Sequence, residues 1–177
     1  MDGLSAFGAA SVSLVFGVAA LGKVVDRASF VRALRNQGLT SRPVRRAAAV
    51  AIPLSELGCA IALWIPAVRR PAAVVAALML AAFSVVLVRS IVIGVKGGCG
   101  CFGSSTNDRV SWLSVARNAV LIVLALTAAV PETDGFGPTA AILAGMGIGV
   151  LVLVVDLGAA VLARNWARPS GSVVRNN

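Results

Sequence analysis

The sequence predicts an all-α fold, a polytopic transmembrane helical bundle of about five spans. Composition is the first reason: 58% of the 177 residues are hydrophobic and only 13% are charged. Mean hydropathy is +0.91, well beyond an ordinary soluble domain, where about a quarter of residues carry charge. The second reason is the spacing of apolar stretches. Five of them reach the length of about 20 residues that a helix needs to cross a hydrocarbon core of about 30 Å.

The first stretch, 4–25, is expected to be a retained span. It has no basic segment before it and is too long for a secretory leader. The others fall at 44–66, 72–93, 110–130 and 138–163. In lipid every backbone polar group must be satisfied internally, so each is read as a helix. Residues 1–166 form one transmembrane domain, and 167–177 are a polar tail.

The joints follow from polarity. The link 26–43 contains an amphipathic piece around Phe30, Val31 and Leu34, expected to lie along the membrane interface and to end at Gly38. Pro66 to Pro71 reads as a tight turn. Residues 94–109, GVKGGCGCFGSSTNDR, are rich in Gly and Ser, and 131–138, PETDGFGP, form a short acidic turn.

Charge assigns the sides. The net charge of +9 would suggest a nucleic-acid partner in a soluble protein, but in a membrane protein it marks cytoplasmic loops. With five spans, fourteen of the sixteen Lys and Arg fall at one end, and only Arg69 and Arg70 at the other. The expected location is the plasma or inner membrane, multi-pass. The amino terminus lies outside, and the Cys-containing loop and tail lie on the cytoplasmic side.

Composition also limits the chemistry. There is no His, which excludes a His-dependent triad or His metal site within one chain, and three Cys cannot form a disulfide framework. The sharpest motif is Cys99-Gly100-Cys101-Phe102-Gly103. Two thiols one residue apart close a disulfide only in a tight turn, and the neighbouring glycines supply the freedom. Such a small ring is strained, and strained disulfides exchange readily. Lys96 is placed to favour a thiolate. The same thiols also suit Cu(I) or another soft ion. Cys59, about 22 Å from the loop end at 1.5 Å per residue, reads as a small buried residue.

Ionisable residues inside spans point to function. Glu56 sits between Pro53 and Cys59 on one helix face, fit either to carry a proton or to form a buried ion pair with an arginine. Lys23 closes the first span, just before Asp26. Arg117 and Asn118 enter the fourth, and Arg89, near the end of the third, reads as a snorkelling side chain. In the fifth span Gly145 and Gly149 form a GxxxG pattern for close packing, with Asp156 turned inward. Together these residues suggest a polar pocket beneath the Cys loop.

Gly22-Lys23-x-x-Asp26, Pro53-x-x-Glu56, the CGCFG run and Trp112 followed by Arg117-Asn118 occur in an order that resembles the MauE family, within the wider DoxX-like group of small membrane proteins. The resemblance covers roughly residues 4–130. It implies a four-helix DoxX-like core plus one further helix, and a role in methylamine utilisation. There a thioredoxin-like partner is needed to make a disulfide-rich dehydrogenase subunit. Cys99 and Cys101 would then be the catalytic thiols, relaying disulfides or electrons. Lys23, Glu56, Lys96, Arg117 and Asn118 would form the supporting polar set. The client protein is unknown, no cofactor or resident metal is assigned, and a quinone acceptor stays open.

Two alternatives remain at this level, a soft-metal thiolate binder or transporter and a non-catalytic membrane subunit. The side of the loop is also open. Disulfide exchange on secreted proteins needs an extracytoplasmic site, whereas the charge distribution points to the cytoplasm. The loop either draws reductant in the cytoplasm, folds into the bundle and is reached from across, or breaks the charge rule.

Overall fold

A computed structural model describes residues 3–94, 112–129 and 138–166, with side chains in the last helix from residue 139 to 155. The described chain forms six helices: α1 Gly3–Val25, α2 Arg27–Asn36, α3 Arg42–Ala62, α4 Arg69–Val92, α5 Trp112–Ala129 and α6 Pro138–Trp166. Three of them, α1, α4 and α5, are each long and apolar enough to cross a membrane. In α6 the stretch Thr139–Val155 is apolar as well. The expected bundle of membrane helices is present.

Helix α1 is the central element, in contact with α3, α5 and α6, while α4 packs on α5. Its small residues make this possible. Ala6, Ala9, Ala10, Ala19 and Ala20 are buried on several sides of the helix, and small side chains let membrane helices approach closely. A Cβ on Gly8 would collide with Leu124 and Thr127 of α5, and one on Gly145 with the backbone of Phe7. Gly149 faces Leu14 and Ser11. The GxxxG pattern is therefore the seam between α6 and α1.

Two serines on α1 hold its neighbours by hydroxyl bonds across the bundle. Ser13 Oγ donates to Ala60 O of α3 at 2.9 Å. Ser11 Oγ lies 2.8 Å from Gly145 O of α6 and 2.9 Å from its own Phe7 O, sharing one proton between two acceptors.

On α4, Ala72, Ala73, Ala76, Ala77 and Leu80 turn inward, and α5 presents Leu121, Leu124, Ala125 and Ala128. The opposite faces expose Val74, Leu78 and Val85 on α4, Val120 and Val123 on α5, and Leu143 and Val150 on α6. An apolar exterior around a core of small residues is what lipid, rather than water, selects.

The boundaries differ from expectation at two joints. Helix α3 ends at Ala62, four residues before the expected 66, and the chain turns through residues 63–68. The buried Arg69 holds this turn by donating from Nε to Leu63 O at 3.1 Å. Pro71 belongs to the first turn of α4, where its missing N–H has no intrahelical partner to lose.

At α2 the expected amphipathic helix is present, and its apolar face packs within the protein. Phe30 and Leu34 pack on Ala49 of α3, with Ile52 alongside. Asp26 caps the helix by accepting from Ser29 N at 3.1 Å. Gly38, with φ +97°, ends it as expected. Leu39 N donates to Leu34 O and Gly38 N to Arg35 O, the bond pair of a Schellman motif.

Candidate functional site

The polar end of the bundle is built where α1 runs out. Lys23 lies in the last turn of α1, yet its side chain is only 3% exposed. The helix breaks at Asp26, with φ −109° and ψ 58°, and α2 then brings Phe30 beside the ammonium. Lys23 Nζ donates to Glu56 Oε1 at 2.7 Å and to Oε2 at 2.8 Å. Ala19 O, one turn back on α1, lies at 3.5 Å. The rings of Phe30 from α2 and Phe83 from α4 stand 5.7 and 5.8 Å from Nζ, within cation–π range. Four helices thus enclose one charge pair.

Each charge alone would be expensive at this depth. Paired, with both carboxylate oxygens on the same ammonium, they offset much of that cost. Of the two readings open for Glu56, the structure shows a buried ion pair, and its partner is Lys23, not an arginine. Among the described residues, the polar set expected beneath the Cys loop includes this closed ion pair, with Phe30 of α2 beside it.

Arg117 and Asn118 lie side by side in the second turn of α5. Arg117 Nη2 donates to Asn118 Oδ1 at 3.2 Å, and Asn118 is 2% exposed. Cys59 is buried as expected, one helical turn from Glu56, with its Sγ 3.9 Å from Met79 Sδ. Lys96, Cys99 and Cys101 lie outside the described residues, as does the side chain of Asp156. The ends they connect are described: the CGCFG segment leaves from Gly94 after α4 and returns at Trp112 of α5.

A second polar tie was not anticipated. Ser90, 1% exposed, binds Gln37 Oε1 at 2.6 Å and Val86 O at 2.7 Å. One hydroxyl proton serves two acceptors here, while Gln37 Nε2 is buried with no partner among the described residues. Turning the amide so that Nε2 donates to Ser90 Oγ resolves both problems, since an amide's O and N are assigned by their network. Either way, the end of α2 is fastened to the last turn of α4, next to the start of the CGC segment. Sequence offers only a weak signal for this, a Ser near a helix end and a Gln at a cap.

Comparison with known proteins bears on the same elements. The family model described as "Methylamine utilisation protein MauE" matches residues 1–131, a stretch that holds α1 to α5 and the CGC segment. The chain belongs to the MauE family. It is 35% identical over 167 residues to "Methylamine utilization protein MauE" of Paracoccus versutus, covering 93% of this chain and 90% of that one. Its identity to the protein of the same name from Paracoccus denitrificans is 33% over 158 residues, covering 85% and 82%. The Methylophilus methylotrophus protein of that name is 34% identical over 146 residues, covering 78% and 75%. No solved structure matches the chain. Within this MauE-family chain, Lys23, Glu56, Arg117, Asn118 and the CGC segment all fall inside the matched region, and α6 falls outside it.

Proposed function

We propose that the protein is an integral membrane thiol–disulfide redox protein acting in methylamine utilisation, as its relatives' names suggest. Its working groups are Cys99 and Cys101, and its partner is a thioredoxin-like protein. One thiolate attacks a sulfur of the partner's disulfide, forming a mixed disulfide and releasing a partner thiolate. The second Cys thiolate attacks the mixed disulfide, which yields the Cys99–Cys101 disulfide and the reduced partner. Two electrons pass to the partner, and the two protons given up by the CGC thiols end on the partner's two thiolates. The reverse sequence oxidises the partner, so the poise of the two couples sets the direction.

The observation that carries this reading is the meeting of chemistry at one end of the bundle. Ser90, tied to Gln37 of α2, and Arg117 lie near the two helix ends that the CGC segment connects, and the Lys23–Glu56 pair joins the end of α1 to α3. Arg117 and Lys96 supply positive charge that favours a thiolate. Lys23 and Glu56 hold the helix ends in register. The charge distribution favours a cytoplasmic side for this end.

A non-catalytic subunit would have used Gly145 and Gly149 to bind another membrane protein. Those glycines are taken up against α1 within the chain, which removes that reading's proposed surface. Single replacement tests the exchange: Cys99→Ser or Cys101→Ser should accumulate a reducible mixed disulfide with the partner, and Cys59→Ser should not. If neither CGC variant traps a partner, while the double variant supports growth on methylamine like the wild type, the proposal fails.

A further inference from the structure

Along the outer side of α4 runs an open groove of about 440 Å³, lined by Ser84, Val85, Val88, Arg89, Val92 and Ile93. Its composition is unusual in one respect. Ser84 spends its hydroxyl on Leu80 O of its own helix at 2.8 Å, so the lining is almost wholly apolar, with Arg89 contributing its aliphatic stem. Val85, Val92 and Ile93 are exposed, as is Arg89. Arg89 stands three residues before the end of the helix, where a snorkelling guanidinium reaches headgroup depth beyond the apolar trough.

A second observation adds charge to that spot. The Ser90–Gln37 contact brings the end of α2 against the last turn of α4. Arg89 and the exposed Arg35 therefore sit on neighbouring helix ends. Among the described side chains, Asp26 is the one carboxylate at this end outside the buried pair, and it is occupied in capping α2. The groove spans about 13 Å along α4 at 1.5 Å per residue, enough for most of one acyl chain.

We propose that this groove is a binding site for one anionic phospholipid, with an acyl chain along Val85, Val88 and Val92 and its phosphate on Arg89. An Arg fork pairs well with phosphate oxygens, and basic sites at the cytoplasmic ends of membrane helices select acidic headgroups. A zwitterionic lipid fills the trough equally but gains less at the cation. The site lies on the lipid-facing surface and does not depend on the thiol chemistry.

The test uses the full-length protein in nanodiscs made with equal phosphatidylglycerol and phosphatidylcholine, released and weighed by native mass spectrometry. Wild-type protein should retain one phosphatidylglycerol about fivefold over phosphatidylcholine, equivalent to about 1 kcal/mol. Arg89→Gln should abolish the preference and Arg89→Lys should keep part of it. Val88→Trp, which fills the trough, should lower retention of both lipids. Arg70→Gln, at the far end of α4, should change nothing. Added inorganic phosphate should not displace the lipid, because it lacks the chain. Equal retention of the two lipids by wild type, an unchanged preference in Arg89→Gln, an unaffected Val88→Trp or displacement by phosphate would each overturn the proposal.

Discussion

Lys23 Nζ sits 2.7 and 2.8 Å from the two carboxylate oxygens of Glu56, joining the last turn of α1 to the middle of α3 with both side chains almost fully enclosed. This contact turns two costly ionisable residues into one neutral unit.

Removing one partner leaves the other charge buried. Lys23→Met or Glu56→Leu alone should cost about 3–5 kcal/mol. The double replacement should cost less than either single one, because no unpaired charge remains. Unfolding of the purified protein in mixed micelles measures this. Strictly additive losses would mean that the pair is not coupled in the folded state.

The glycine contacts predict opposite outcomes at two positions. Gly145→Leu should separate α6 from α1, since even a Cβ there meets the backbone of Phe7. Gly58→Ala, in a helix with open space around it, should be neutral or should stabilise by about 0.5–1 kcal/mol. Limited proteolysis of the α5–α6 connection reads the first. A thermal shift reads the second. A tolerated Gly145→Leu would refute the seam.

Asp26 gives α2 a pH dependence. Hydrogen bonds from Ser29 hold its carboxyl below the usual aspartate range, with Arg32 adding a smaller effect. A carboxyl depressed in the folded state contributes stability above its unfolded pKa, and that contribution is lost as pH falls through the folded value. Amide exchange at Ser29 should therefore accelerate only below the ordinary aspartate range. Asp26→Asn, which keeps a capping oxygen, should show no such step. An identical pH profile for the two proteins would remove the cap from this role.

Much of this was legible in the sequence, and the reasons differ by element. Apolar length located α1, α4, α5 and α6, because lipid imposes a minimum length on any helix that crosses it. Gly38 marked the end of α2, because few residues accept its positive φ. Gly145 and Gly149 revealed the α6 seam, since small residues are what helix packing in lipid selects. Lys23 and Glu56 were each conspicuous as charges in apolar surroundings, but their pairing was not readable. It depends on α1 packing against α3, between residues 33 positions apart, which no local pattern encodes. Tertiary packing likewise sets the apolar face of α2 on α3. The tie between Gln37 and Ser90, 53 residues apart, needed the tertiary arrangement for the same reason.

If Arg117 stabilises a thiolate in the CGC segment, its charge should show in reactivity. Arg117→Gln should move the pH profile of Cys99 and Cys101 alkylation upward, and Arg117→Lys should restore much of it. Cys59 alkylation should be unaffected. Identical profiles for wild type and Arg117→Gln would remove Arg117 from the exchange site.

The most direct test of the thiol–disulfide proposal is mass spectrometry of the full-length protein, alkylated after equilibration across a series of glutathione or dithiothreitol potentials. Cys99 and Cys101 should pass together between a disulfide and two alkylated thiols at one midpoint, with Cys59 remaining a thiol throughout. A Cys99/Cys101 pair that stays fully reduced at every potential would contradict the proposal.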